Sequence, residues 1–102
     1  MQSTILKVTG KTDQEQTIVS GVYRLYATTG IPLDIIFDCL KQRNVIPDWL
    51  CFYVEAVEAG MKHDRIMSKL ESAITDSYGK EFGDVVIERL ELVAKGYDNE
   101  KD

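Results

Sequence analysis

The sequence predicts an all-α fold: a compact bundle of about five short helices preceded by a loose or short extended N-terminal arm. Three observations lead to it. Apolar residues recur at helical spacing along most of the chain. Prolines fall where helices would begin and glycines where they would end. The connections between these segments are very short, which favours packed neighbours. The organisation expected is an arm over residues 1–11, one helical domain over 12–97 and a polar, disordered tail over 98–102.

Within the arm, Thr4 to Thr9 has strand-like composition, but no second strand is evident to pair with it, so it is read as extended and loose. Thr12 reads as an N-cap, and Glu15 three residues on completes a capping box. The helix after it places Ile18, Val22, Leu25 and Tyr26 on one face and ends at Gly30. Gly21 falls inside that helix, at a cost near 1 kcal/mol relative to alanine. Pro32 starts a second helix as far as Arg43, with Asn44 as its left-handed end. Leu33, Ile36, Phe37 and Leu40 line one side of it, with Ile35 and Cys39 beside them.

A third helix runs from Pro47 to Gly60 and is apolar most of the way round. Only Asp48, Glu55 and Glu58 are left for water, as expected of a helix with neighbours on several sides. Ile66, Leu70, Ala73 and Ile74 define a fourth helix, stopped by Gly79. Phe82, Val86, Leu90, Val93 and Tyr97 mark the buried side of a fifth, capped by Gly96.

A chain of 102 residues with 44% hydrophobic and 28% charged residues can build one core without metal or disulfide. The N-terminus lacks the apolar run of a signal peptide and no stretch suits a bilayer, so the expected location is cytoplasmic, with no membrane partner. The cysteines, Cys39 and Cys51, are then expected as reduced, buried small hydrophobes. Net charge is −5, which argues against nucleic-acid binding through a broad electrostatic surface but leaves room for a local basic strip.

Chemistry is hard to find. The single histidine, His63, has Asp64 beside it and Cys51 a dozen residues earlier, and nothing in the spacing assembles a nucleophile, a base and an orienting group. Two cysteines and one histidine lack the paired spacing of a structural zinc site, and no phosphate loop or dinucleotide fingerprint occurs. No enzyme, catalytic residue, metal, cofactor or small-molecule substrate is expected.

One constellation resembles a helix-turn-helix signature. Ala56, Gly60, Met61 and Ile66 supply the small crossing residue, the turn glycine and two apolar anchors in order. Residues 52–72 would then present Lys62, His63, Arg65, Ser68 and Lys69 to phosphates and base edges. Glu55 stands where such motifs keep an apolar residue. The other signal is excess apolar surface, because the second and third helices both carry more than one apolar stripe. Ile35, Cys39, Trp49 and Tyr53 are therefore the expected protein interface, most simply between two copies about a two-fold axis. The expectation is a non-enzymatic adaptor- or inhibitor-like protein acting through that face as a homodimer, with a DNA-binding regulator as the alternative.

Overall fold

The described residues begin with two strands of a sheet, the second of them where a helix was expected, and this overturns the all-α expectation. A computed structural model describes residues 6–101, with side chains through Lys95. Its elements in order are β1 (Lys7–Lys11), β2 (Thr17–Ser20), α1 (Val22–Thr29), α2 (Leu33–Gln42), β3 (Val45–Pro47), α3 (Trp49–Glu58), α4 (His63–Tyr78) and α5 (Lys80–Lys101). Five helices thus stand beside a three-stranded mixed sheet of order β1-β2-β3, a mixed α/β architecture.

The Thr12 hydroxyl does accept backbone N–H groups, as a cap would, but those of Gln14 and Gln16 inside a hairpin turn. Thr12 and Gln16 close the loop, and Glu15 sits at φ 68° in the left-handed region, the position that ends a three-residue hairpin loop. The strand expected to lack a partner therefore has one: Lys7 lies opposite Ser20 and Val8 opposite Val19. A bulge between Val8 and Gly10 frees the Thr9 side chain, whose hydroxyl donates to Asp48 Oδ2 at 3.0 Å.

Thr17-Ile-Val-Ser is rich in β-branched residues, which suit a pleated surface better than a helix. Its second partner is β3, paired in parallel with Ile18 opposite Ile46. Parallel pairing needs a crossover, here residues 21–44 carrying α1 and α2. Gly21 now has its reason: at φ 89° it turns the strand into α1, an angle that costs a larger residue. Asn44, at φ 61°, is the left-handed end of α2 as expected, and the chain passes from it into β3, which was not expected. Pro47 is strand rather than helix; Asp48 caps α3 instead, its Oδ1 accepting from the Cys51 N–H at 3.2 Å.

The core lies between the helices and one face of the sheet. Phe37, Ala56, Ile66, Leu70 and Ile74 are fully buried within it. Phe37, Trp49, Tyr78 and Phe82 join four helices in an aromatic cluster with ring centroids 5.2–6.2 Å apart, a spacing at which tilted and edge-to-face pairs attract. Lys41 Nζ donates to the Ser77 carbonyl at 2.7 Å, and Ser77 Oγ donates to the Asp34 carbonyl at 3.0 Å. The last turn of α4 is thereby tied to α2. Backbone helix continues through Gly96, where a cap was expected, and through residues 98–101 of the expected tail. Residues 1–5 of the expected arm, and Asp102, lie outside the described residues.

Candidate functional site

Helix α3 has two apolar sides, and the fold buries only one. Phe52, Tyr53 and Ala56 point into the core. Leu50, Val54 and Val57, at i, i+4 and i+7, form a stripe that remains 38–47% exposed. Helix α5 packs alongside and adds Val85, 54% exposed, and Val93, 39% exposed. Trp49 meets Phe82 near the start of both helices, and Val57 shares a groove with Val93 further along, so the two helices run in the same direction.

Two depressions follow this seam. A cleft of about 690 Å³ lies between the hairpin turn, the start of α3 and the middle of α5, with Pro47, Leu50, Val85 and Val93 among its apolar lining and Arg89 among its polar one. A groove of about 290 Å³ continues it past Val54 and Val57 as far as Glu58. Leu50 and Val93 border both. Scattered exposed apolar side chains need no explanation; a contiguous stripe on two packed helices does.

The expected interface residues are not brought together. Ile35 is 47% exposed and Cys39 is exposed, both on α2 and outside the cleft and groove. Cys39 is thus not the buried hydrophobe expected. Trp49, half-buried in the aromatic cluster, borders the cleft, and Tyr53, 8% exposed, borders the groove. The side of α3 that faces outward is the one carrying Leu50, Val54 and Val57, which sequence reasoning passed over. Their heptad-like spacing was visible, but α3 shows apolar residues on both sides and spacing does not say which side α1, α4 and α5 cover.

The corner after α3 forms as its residues require. Met61 N–H donates to the Ala56 carbonyl and Gly60 N–H to the Val57 carbonyl, both at 3.0 Å, with Gly60 at φ 99°, a Schellman end. Ala56 and Ile66 are both 0% exposed. Of the residues expected to face DNA, Lys62, Arg65 and Ser68 are exposed. Lys69 is half-buried, with its ammonium 5.7 Å from the Tyr26 ring centroid. His63 turns inward. Its Nε2 lies 3.0 Å from Glu91 Oε1 and its Nδ1 2.9 Å from the Tyr53 hydroxyl. An ionised carboxylate only accepts, so Nε2 carries a proton, and in the neutral ring Nδ1 accepts from Tyr53. This chain clips α3, α4 and α5 together.

Glu55, the residue out of place in a helix-turn-helix, has a structural task. Its Oε2 accepts from the Gly21 N–H at 2.9 Å, holding a carboxylate at the positive end of α1. Cys51 is not set up as a nucleophile: burial first, then Asp48 and the charge of Glu55, push its thiol up from the ordinary value, whereas a reactive cysteine needs the opposite shift. Among the described residues no group of three or more His, Cys, Asp or Glu side chains is placed to hold a metal ion. None of the described helices is long and apolar enough to cross a membrane. Searches against protein-family models, curated proteins and solved structures gave no match to this chain.

Proposed function

We propose that the protein is a non-enzymatic interaction domain of the cytoplasm that works by docking protein through the α3/α5 face, and that it self-associates there as a homodimer. The observation that carries this reading is the stripe of Leu50, Val54 and Val57 beside Val85 and Val93, exposed on two helices that pack against each other. Removing such surface from water is worth about 25 cal/mol per Å², so a contiguous stripe favours association where scattered residues would not. We keep the adaptor or inhibitor role expected from the sequence, with the contact surface shifted from α2 and α3 to α3 and α5.

The test is sedimentation equilibrium on the wild type and on Val54→Asp. Val54 is 43% exposed, so the variant should fold with an unchanged circular dichroism spectrum while its self-association falls at least tenfold. A wild type that stays monomeric at millimolar concentration, or a variant that associates as before, defeats the reading.

The Gly60 corner supplies a second reading, DNA binding through the start of α4. Glu55, Glu58 and Asp84 are the acids whose pairing with these basic residues would count against this reading, and none forms an ion pair with Lys62 or Arg65 among the described residues. Glu55 holds the Gly21 amide, Asp84 pairs with Lys80 at 3.2 Å, and Glu58 borders the α3/α5 groove. Lys62 and Arg65 make no ion pair among the described residues. This reading expects salt-sensitive retention on immobilised duplex DNA that is lost in Lys62→Glu and Arg65→Glu. Retention indifferent to both changes, or absent at low salt, removes it.

A further inference from the structure

We propose that the cleft between the hairpin turn, α3 and α5 binds a small carboxylate with an apolar body, its head held by Arg89. The site goes beyond the docking face, with which it shares Leu50, Val85 and Val93 but not Val54 or Val57. Val85, Arg89 and Val93 stand at i, i+4 and i+8 on α5, one above another, and all three line the cleft. A guanidinium is thus set in the middle of an exposed apolar stripe, and it makes no ion pair among the described residues.

Anything apolar that covers this stripe takes water from that charge, and an unpaired charge removed from water is costly. The occupant must therefore bring an anionic acceptor of its own. A carboxylate matches the planar fork of guanidinium N–H groups, which can donate two parallel hydrogen bonds to it. The sheet supplies further apolar lining: Ile18 and Ile46, paired across β2 and β3, and Pro47, with Ile46 and Pro47 buried. At about 690 Å³ the cleft falls within the range of small-molecule sites, about 300–1,000 Å³, and it has their mostly apolar lining with few polar groups. Two acids also border it. Asp48 has both carboxylate oxygens engaged, by the Cys51 amide and the Thr9 hydroxyl. Asp13 is exposed on the hairpin turn beside Gln14 and Glu15, also exposed, so no apolar wall flanks its charge.

Isothermal titration calorimetry with decanoate, decylammonium and acetate tests the site. It is run on the wild type and on Val54→Asp, an exposed change outside the cleft that keeps a second copy from covering it. Decanoate should bind. Decylammonium, with the same chain and the opposite charge, should bind about tenfold more weakly. Acetate, which lacks the apolar body, should show no binding at millimolar concentration. Arg89→Gln should weaken decanoate about tenfold and erase its advantage over decylammonium. Backbone amide NMR shifts on adding decanoate should centre on Ile46, Leu50 and Val93. Equal binding of the two amphiphiles, or indifference to Arg89→Gln, means that apolar burial alone drives binding and overturns the carboxylate site. Decanoate bound by neither protein also overturns it and leaves the cleft to a macromolecular partner. Self-association is decided separately: a monomeric wild type that binds decanoate keeps this site and loses the docking reading.

Discussion

Tyr78 sits in the aromatic cluster with its hydroxyl enclosed and without a hydrogen-bond partner among the described residues. Burial, and then the negative charge of Asp38, push that hydroxyl up from 10.0 to about 12. The folded state therefore holds the proton more tightly than the unfolded chain does. The associated stability is whole below pH 10 and is lost as pH climbs toward about 12. Tyr78→Phe keeps the ring contacts and removes an unsatisfied polar atom, so stability at neutral pH should hold or rise by about 1 kcal/mol. The variant's urea midpoint should also fall less steeply across that alkaline window. A loss of more than about 1 kcal/mol on this change would mean that the hydroxyl has a partner and that its burial is not the governing term. At the same scale, Thr12 shows how far a residue's chemistry can be read without its element. Its hydroxyl accepts backbone N–H groups as foreseen, but in a hairpin loop. A hydroxyl meeting local amides stabilises either structure.

At the scale of the element, α3 is tied at both ends to parts of the chain far away in sequence. Asp48 caps its start and receives Thr9 from the bulge of β1. Glu55 reaches back to the Gly21 amide at the start of α1. Glu55→Ala leaves that amide without its partner and takes a carboxylate from the positive end of a helix. Because Glu55 Oε1 is enclosed without a partner of its own, part of that loss is offset. A net destabilisation of about 1–2 kcal/mol is expected, read as a lower urea midpoint with an unchanged slope. A neutral result would show that water serves the Gly21 amide equally well. The helices from Leu33 onward were legible because Pro32, Asn44, Gly60 and Gly79 mark most of their ends and apolar residues recur between, although Pro47 is strand and α5 runs past Gly96. The segment from Thr17 to Ser20 was not. Ile18 and Val22 fit a helical period by coincidence, while the strand's parallel partner, Val45 to Pro47, lies beyond two helices. The conflict was nonetheless visible in Gly21, a costly residue inside the expected helix and a suitable one at φ 89°.

For the whole molecule, the surplus of apolar surface foreseen from α2 and α3 is real but differently placed. Ile35 remains exposed on α2, Tyr53 is drawn into the core, and the outward stripe of α3 joins that of α5. If the copies associate through that stripe, folding and association are linked, and the unfolding temperature must rise with protein concentration. Val54→Asp should abolish that dependence while leaving the melting temperature at low concentration nearly unchanged, since an exposed substitution costs little by itself. Differential scanning calorimetry over a hundredfold concentration range decides it. An unfolding temperature independent of concentration in the wild type counts against self-association.

By itself, the sequence determined the helix ends at Gly30, Asn44, Gly60 and Gly79, most of the buried residues of α2 and α4, and the corner at Gly60. These are local properties, fixed by backbone preferences and by a period of 3.6 residues. It also determined that apolar surface would exceed what one thin stripe per helix can hide. Only the tertiary structure decided that residues 7–20 belong to a sheet, because the parallel pairing of β2 with β3 spans a long crossover that leaves no local mark. It alone decided which side of α3 faces outward, because a helix apolar on both sides is sorted only by what packs against it.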